Sequence, residues 1–415
     1  MGNHQGWLTQ HDPGRTLPPG RTLRDAFNEN IAALTCGGPA PPDPAHQVLG
    51  LELDELITDW GLWSSLKQAN FDLMRAIPPT CTAAVVATVK NEGAYLVEWV
   101  AHQRAVGFEH VFLYTNDNTD DSGPLLTALS RTDFVTVIYN QVSRHIPPQG
   151  KAYEHSLHLL RDLRRYEWVA YLDADEFLVP AGRYDFHLLP LLTALQQRDP
   201  AGDVAALAVN WQFFGSNGQV RRTEGLLLER FQHSQPSPLV KCMVRLSRVT
   251  AMRQVHVPEP LDALTVNSAF EPVRAQDGLV PPPAQPGIQL NHYYGRSFEE
   301  FCLKQARGRG NVLGGLVGKG METFFQWDVP ATLANHTPPP PTLLARLRRE
   351  VEHLMALPSI AVAMQATMHR TAQQSRHLIG DPDARHAACH ARFAPTDAAA
   401  GAPADARCGA LVLAR

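Results

Sequence analysis

The sequence of 415 residues lacks several features that would place it in a particular class of protein. Its six cysteines form no Cys-x-x-Cys pair, which argues against a zinc ribbon or a disulfide framework and favours a reducing cytosol. Lysine and arginine total 37 against 41 aspartate and glutamate residues, so the excess of positive charge that a general nucleic-acid binder needs is missing. No run approaches the roughly 20 apolar residues that span a bilayer.

The first residues contain no apolar core of signal-peptide length, and this absence favours a cytoplasmic location. An apolar fraction of 44% with 19% charged residues is typical of a globular protein. The basic stretch "LLARLRRE" (343–350) is a candidate for contact with a membrane surface. We therefore expect a protein without a transmembrane segment that reaches a membrane only peripherally.

The composition divides the chain into three segments. Residues 1–80 hold a Pro- and Gly-rich linker at 37–47 and then a stretch with helical apolar spacing, which we interpret as an N-terminal extension with a helical lead-in. Residues 81–330 form the predicted main domain. Residues 331–415 are a predicted helical C-terminal extension with a partly disordered tail, and after about residue 370 large apolar residues are few, so we expect that part to bury little surface.

The main domain begins with an alternation of strand and helix patterns. Short apolar runs at 83–89, 110–115, 133–139 and 168–173 predict buried strands, and helical patterns at 94–107, 123–130 and 151–166 lie between them. Such alternation is typical of a parallel sheet that is covered by helices. The predicted fold class is therefore α/β, with a Rossmann-like, mostly parallel sheet and flanking helices.

Polar clusters follow three of these predicted strands. "KNEG" comes after the first strand, "NDNTDD" after the second and "DADE" after the fourth. In open α/β sheets, ligands bind beyond the carboxyl ends of the parallel strands. The three clusters therefore predict one ligand site at that edge of the sheet.

The cluster "DADE" places Asp173 and Asp175 directly after a buried strand. Two carboxylates so close together raise each other's pKa unless a cation neutralises them. Mg²⁺ and Mn²⁺ prefer oxygen ligands and often bind one or two protein carboxylates together with substrate phosphates. The pair therefore predicts a site for a divalent metal ion and a diphosphate, whereas an isolated Asp-x-Asp is as often a solvated turn.

Longer stretches carry a family resemblance. "VKNEGAYLVEWVAHQRAVGFEHVFLYTNDNTDDS", "WVAYLDADEFL", "NWQFFGSNG" and "LNHYYGRSFEEFCLKQARGRG" occur in the order found in glycosyltransferase family 92 and its family-2-like relatives. The sequence resembles that family over about residues 82–330. The resemblance implies a GT-A fold, a UDP-sugar donor, Mn²⁺ or Mg²⁺, and inversion at the anomeric carbon. It also divides the main domain into a nucleotide-sugar half, 81–180, and an acceptor half, 181–330.

The resemblance assigns roles to individual residues. It places Asn91 and Glu92 at the rim of the nucleotide pocket, and Asn116, Asp117 and Asp120 near the uridine. It implies that Asp173 contacts the ribose or the metal ion and that Asp175 binds the metal ion. His256 and His292 both match positions for a third ligand, with His256 preferred for the metal and His292 for the donor. Lys241, Arg296, Lys304 and Arg307 are candidates to neutralise the diphosphate.

The acceptor side of this fold is expected in "NWQFFGSNGQVRRTEGLLLERF" (210–231). Trp211 and Phe214 can supply an apolar platform for a sugar ring. Glu224 and Glu229 are the available carboxylates for a general base, which has to lie within hydrogen-bond reach of the acceptor hydroxyl. Each of them is equally compatible with a position that merely flanks a strand.

We therefore expect a metal-dependent hexosyltransferase of polysaccharide biosynthesis that uses a UDP-sugar and a glycan or glycolipid acceptor. One alternative is a sugar-nucleotide-binding protein that has lost transfer activity. Another is a nucleotidyltransferase on a related doubly wound sheet, although the expected Gly- and Arg-rich phosphate loop is missing after the first strand. A dehydrogenase is disfavoured because "KNEGAY" stands where its Gly-x-Gly-x-x-Gly would be.

Overall fold

The computed structural model describes residues 47–142, 146–253, 255–260, 263–275, 277–310, 320–328 and 335–393. The strands are β1 Gln47–Leu49, β2 Cys81–Val89, β3 His110–Thr115, β4 Val135–Asn140, β5 Tyr166–Asp173, β6 Glu176–Pro180, β7 Val204–Phe214, β8 Ser234–Arg245, β9 Val249–Arg253, β10 Val257–Pro260, β11 Leu264–Val266 and β12 Ile288–His292. The helices are α1 Glu52–Thr58, α2 Trp60–Arg75, α3 Gly93–Ala105, α4 Gly123–Ser130, α5 Pro148–His158, α6 Leu188–Arg198, α7 Leu227–Arg230, α8 Phe298–Arg307, α9 Glu322–Trp327, α10 Pro341–Met355, α11 Pro358–Leu378 and α12 Pro382–Phe393.

Most of the strands form one large sheet in the order β1-β4-β3-β2-β5-β8-β7-β12-β6, and β11 pairs with β7 outside this path. The pairs from β1 to β5 are parallel, whereas β8 runs antiparallel to both of its neighbours and β6 runs antiparallel to β12. The carboxyl ends of β2, β3, β4, β5, β7 and β12 therefore meet at the same edge of the sheet. A separate hairpin is formed by β9 and β10.

Both faces of the sheet are buried. Along β2, Ala83, Val85 and Ala87 pack into one apolar cluster, and Ala84 and Val86 pack into another. The first cluster is covered by α3, α4, α10 and α11, and the second by α2 and α5. A strand buried on both faces has to be apolar at every position, which is why β2 is a continuous apolar run rather than an alternation.

The predicted fold class is confirmed: the central sheet is mostly parallel and has helices on both faces. All four predicted strands are present as β2, β3, β4 and β5. The helix predicted for 151–166 begins earlier and ends at His158, and a 3₁₀ turn then leads into β5. Strand β1 follows directly from the predicted linker and pairs in parallel with β4, an arrangement that its three residues do not predict by themselves.

The C-terminal helices contact the main domain more than their composition suggests. The described part of the segment after residue 370 continues α11 to Leu378 and adds α12, and Ile379 is buried in a small apolar cluster with Phe298 and Phe324. Thr371 and Ser375 of α11 and Ile379, which follows that helix, are buried, whereas most other side chains of 371–393 are exposed, as expected for this segment. No helix in the described ranges is long and apolar enough to cross a membrane.

Candidate active site

The end of β5 turns sharply into β6 at the shared edge of the sheet. Asp173 is the last residue of β5, and Glu176 is the first residue of β6. The backbone N–H of Asp173 donates to the carboxylate of Glu176 at 2.9 Å, and the carbonyl of Asp175 accepts from the N–H of Tyr293 at 2.9 Å. These bonds fix the backbone of the turn, so that Asp173 and Asp175 are held by β6 and by the residue that follows β12.

Two side chains contact the carboxylate of Asp173, one through an amide and one through an ammonium group. The side chain of Gln149, at the start of α5, donates to one carboxylate oxygen at 2.7 Å, and Nζ of Lys241 lies 3.2 Å from the other. The same Nζ lies 3.6 Å from Glu176. Burial by itself would raise the pKa of Asp173, but the nearby ammonium of Lys241 holds this pKa below its usual value. The side chain of Asp173 keeps 36% of its surface exposed, so it remains accessible to a ligand.

Asp175 is more enclosed, with 5% of its side chain exposed. Nζ of Lys304 contacts one of its carboxylate oxygens, and Nε2 of His292 lies 3.7 Å from the other. Burial opposes ionisation, but Lys304 and then His292 hold the pKa of Asp175 well below its usual range. Burial also lowers the pKa of His292, so its imidazole is neutral at pH 7. Both carboxylates are therefore ionised at neutral pH.

The chemistry of these side chains fits a hard divalent cation. Two ionised carboxylates and a neutral imidazole are groups that bind Mg²⁺ or Mn²⁺. Among the described residues, however, no three His, Cys, Asp or Glu side chains are already arranged around a common point for a metal ion. The carboxylate of Asp175 is in contact with Lys304 instead.

The two candidate histidines differ in position. His292 approaches Asp175 directly and its ring lies 4.1 Å from the ring of Trp211, measured between centroids. Nδ1 of His256 lies 3.0 Å from the carbonyl of Val240, so this nitrogen donates to the backbone. His256 is close enough to Asp173 to contribute to its lowered pKa. The role of His256 as a third ligand stays a prediction, and His292 is the histidine with a described contact to an aspartate of the pair.

The loops after β2 and β3 are tied to each other. The amide of Asn91 bonds with Thr119 in both directions, at 2.9 Å and 2.7 Å, and its backbone N–H donates to Asn118 at 2.9 Å. Asp120 accepts from the N–H of Gly93 at 2.9 Å and from Ser122. Asn91 adopts a left-handed backbone conformation, φ 51°, which asparagine tolerates better than most residues.

Glu92 is buried and binds two arginines. Arg296 lies 3.0 Å from one carboxylate oxygen, and Arg307 contacts the other and also donates to the carbonyl of Lys90 at 2.9 Å. Arg296 follows β12, and Arg307 ends α8. The loop after β2 is therefore held by cations that come from more than 200 residues later in the chain.

A cavity of about 100 Å³ lies between these loops, α8 and α11. Four of the predicted donor-binding residues line it: Asn91, Glu92, Asp120 and Lys304. Arg296 and Arg307 line it as well. Pockets that enclose a ligand of this class usually measure about 300–1,000 Å³, so this cavity accommodates only a part of a nucleotide sugar.

Asn116 and Asp117 lie at the same edge but outside the lining of this cavity. Their side chains are 3.3 Å apart, and Asp117 faces Tyr139 of β4, where burial and then the Asp117 carboxylate raise the pKa of the phenol. Asp120 is thus the acid of this loop that the structure places beside Asn91 and Glu92.

The two candidate bases are held differently. Glu224 is exposed. Glu229 caps α7 by accepting from the N–H of Leu226, and it contacts Arg348 of α10. Within the described residues neither carboxylate contacts Asp173 or Asp175, and the choice of base stays a prediction. Trp211 and Phe214 are both buried, and Phe214 packs against Tyr293, so their rings do not form the exposed platform expected from the sequence.

Two residues of the site were missed by sequence reasoning. Gln149 donates to Asp173, and Glu176 shares Lys241 with it. Gln149 lies in the segment after β4, which is the one strand end that showed no acidic cluster. Applying the strand-end rule to that segment would have found it. Glu176 is the last letter of "DADE", and burial raises its pKa to about 8.

Comparison with known proteins identifies relatives of this chain. Residues 81–270 match the family model described as glycosyltransferase family 92, which confirms the resemblance. A glycosyltransferase family 92 protein of Ricinus communis is 28% identical over 225 residues, covering 53% of this chain and 36% of that protein. Another, of Oryza sativa subsp. japonica, is 27% identical over 96 residues, covering 23% of this chain and 15% of that protein. The matched part of the chain thus spans 36% of the length of the first relative and 15% of the length of the second.

Among solved structures, residues 1–349 of TarS from S. aureus align with 71% of this chain and 91% of their own length. The sequence identity is 11% and the TM-score is 0.28. A TM-score this low does not establish a shared fold, and the fold described above rests on the strand order and register of this chain.

Proposed function

We propose that this chain is a family 92 glycosyltransferase, specifically a metal-dependent hexosyltransferase of polysaccharide biosynthesis; the match of residues 81–270 to the family model supports the proposal. It transfers a sugar from a UDP-sugar to a hydroxyl group of a glycan or glycolipid, with inversion at the anomeric carbon. It acts in the cytoplasm and approaches a membrane peripherally where the acceptor is a glycolipid.

The observation that carries this proposal is the pair Asp173 and Asp175 at the carboxyl end of β5. Both carboxylates are ionised, and each is in contact with a lysine that comes from the second half of the main domain. When bound, a divalent cation supplies electrostatic stabilisation to the leaving diphosphate. Asp173 and Asp175 are the residues that would hold it, with His256 as the proposed third ligand and His292 beside Asp175.

The remaining roles follow from the position of the cavity. Asn91, Glu92 and Asp120 contact the nucleotide, because they line the same cavity as Lys304, which contacts Asp175. Arg296, Lys304 and Arg307 stabilise the negative charge that grows on the diphosphate as the glycosidic bond breaks. Glu224 or Glu229 takes the proton of the acceptor hydroxyl, once the acceptor has brought that hydroxyl within hydrogen-bond reach.

Donor binding is tested first. We expect one or more UDP-sugars to raise the melting temperature in the presence of Mn²⁺ and to have little effect after chelation. A ligand at 100 times its dissociation constant adds about 2.7 kcal/mol to the free energy of unfolding. Asp175→Asn is expected to abolish this stabilisation. Asp121→Asn is the matched control, because it removes a carboxylate at the same edge from an exposed side chain outside the cavity lining.

Product analysis then separates the alternatives. Release of UDP together with a glycosylated acceptor is the expected outcome. Release of pyrophosphate would identify a nucleotidyltransferase instead. Stable donor binding with neither hydrolysis nor transfer, for every acceptor offered, would identify a sugar-nucleotide-binding protein. Equal Mn²⁺-dependent stabilisation of wild type and Asp175→Asn would contradict the assignment of the metal ligands.

A further inference from the structure

Lys304 brings a positive charge of the chain itself to Asp175. It lies in the last turn of α8, 129 residues after its partner. Its Nζ contacts the carboxylate of Asp175, donates to the carbonyl of Tyr294 at 3.1 Å and lies 3.8 Å from the centre of the Tyr294 ring. A carboxylate that suits a metal ion is therefore already neutralised in the free protein.

The cavity beside Lys304 is lined by charges of both signs. Arg296 and Arg307 line it together with Lys304, and both arginines bind Glu92; Asp120 and Glu300 are the other acids of the lining. The guanidinium of Arg296 stacks on the ring of Tyr95, with its central carbon 3.5 Å from the ring centre. Lys304, Arg296 and Arg307 thus place three positively charged side chains in the lining of the cavity.

The two lysines of the site differ in how firmly they are held. Lys241 lies within β8, has 1% of its side chain exposed and contacts both Asp173 and Glu176. Lys304 lies at the end of a helix, has 12% of its side chain exposed and contacts the single carboxylate of Asp175. If Lys304 moves away, a single carboxylate, that of Asp175, loses its partner. If Lys241 moved away, two acids would lose theirs.

From this arrangement we propose that Lys304 acts as an exchangeable counter-ion. Without donor, its ammonium group pairs with the carboxylate of Asp175. When the donor binds, the ammonium group pairs with the diphosphate instead, and the carboxylate of Asp175 becomes available to the metal ion. The inference rests on the proposed function. It implies that a metal ion alone competes with Lys304 and binds weakly, whereas nucleotide and metal ion each strengthen the binding of the other, because coupling between two ligands is reciprocal.

The test measures binding of Mn²⁺ without nucleotide, by calorimetry and by the electron paramagnetic resonance signal of free Mn²⁺. Lys304→Met is expected to bind Mn²⁺ alone about tenfold more tightly than wild type, a size within the usual range of coupling between sites. Addition of UDP is expected to strengthen Mn²⁺ binding by wild type about tenfold, and by the variant much less.

Two further variants make the test specific. Arg307→Met is the matched control, because it removes one positive charge from the same turn of α8, but that charge contacts Glu92 and not Asp175. It is expected to change the affinity for Mn²⁺ alone much less than Lys304→Met does, because its charge is paired with Glu92 and does not contact Asp175. Lys304→Gln retains a hydrogen-bond donor without the charge and replaces Lys304→Met if circular dichroism shows that the latter is unfolded.

The outcomes separate this inference from the proposed function. If wild type binds Mn²⁺ only with UDP and the Lys304 variants bind it no better alone, the exchange is refuted and the metal-dependent function remains. If Arg307→Met gains as much affinity for Mn²⁺ alone as Lys304→Met does, the exchange is also refuted. Such a gain would come from the loss of any positive charge near the site and not from the freeing of Asp175. If neither wild type nor the Lys304 variants bind Mn²⁺ even with UDP, the proposed metal dependence fails, and the exchange fails with it.

Discussion

The segments 81–180 and 181–330 supply opposite charges to the same edge of the sheet. The first contributes acids: Glu92, Asp120, Asp173, Asp175 and Glu176. The second contributes the cations Lys241, Arg296, Lys304 and Arg307. Five ion pairs join the two sets: Lys241 with Asp173 and Glu176, Lys304 with Asp175, and both Arg296 and Arg307 with Glu92. Neither segment by itself balances the charges that it brings to this edge of the sheet. Each set of charged side chains can therefore be buried only when the other segment packs against it.

The strongest way to break this complementarity is Lys241→Met. Lys241 is buried between Asp173 and Glu176, and its removal leaves the ionised Asp173 without its cation beside the buried carboxyl group of Glu176. Breaking a fully buried ion pair on one side typically costs about 3–5 kcal/mol; because 36% of the Asp173 side chain is exposed, we expect a loss near the lower limit, about 3 kcal/mol, in the free energy of unfolding by urea. Glu176→Gln added to Lys241→Met should recover part of the loss. A loss below about 1 kcal/mol would show that the charges are neutralised in another way.

The segment 81–180 is also held by the C-terminal helices, because Gly93 lies directly against Thr367 of α11. A Cβ on Gly93 would lie 2.5 Å from Cγ2 of Thr367 and 2.6 Å from Cβ of Ser122. We expect Gly93→Ala to cost up to about 3 kcal/mol of stability, the upper range for overpacking. The control is Gly123→Ala, where a Cβ would meet nothing within 4 Å. If both variants melt alike, α11 does not pack as tightly on this loop as described.

The acidic segment also contains a buried basic group with no carboxylate beside it. His102 donates to the carbonyl of Leu178 at 2.8 Å, and burial lowers its pKa to about 4. Because the unfolded chain takes up the proton near pH 6.5, this histidine contributes stability above that pH, and the contribution is lost as the pH falls toward 4. Between pH 7 and pH 5 we expect wild type to lose about 2 kcal/mol more than His102→Gln. Parallel pH profiles in urea unfolding would mean that His102 is not buried uncharged.

The smallest effect is expected where α11 meets the loop after β3. Gln374 donates from its side chain to the carbonyl of Thr119 at 2.8 Å. Gln374→Ala should cost about 0.5–1 kcal/mol, the net value of one hydrogen bond, and should speed hydrogen exchange at the amides of residues 118–121. Gln373→Ala is the control, because Gln373 bonds to His369 on its own helix. Unchanged hydrogen exchange in both variants would indicate that the contacts with the loop after β2 hold residues 118–121 without help from α11.

Much of the acidic segment could be predicted, because its signals are local. Asp173 and Asp175 follow a buried apolar run, and Asn91 and Glu92 follow another, so the strand-end rule points to them directly. Gln149 escaped this rule because an uncharged side chain after a strand is common. The buried positions of Trp211 and Phe214 could not be predicted from their types, since an aromatic residue is equally suited to a core and to a sugar-binding surface.

The sequence by itself determined the alternation of strands and helices and the three polar clusters at strand ends, because apolar periodicity and strand length are properties of neighbouring residues. Only the tertiary structure decided which cation neutralises which acid. Lys241 and Lys304 each lie within ordinary strand and helix patterns, and nothing near them in the chain shows that one is fixed between two carboxylates and the other contacts one. The energy of an ion pair depends on burial and on distance in space, and both are set by contacts that form when distant segments pack together.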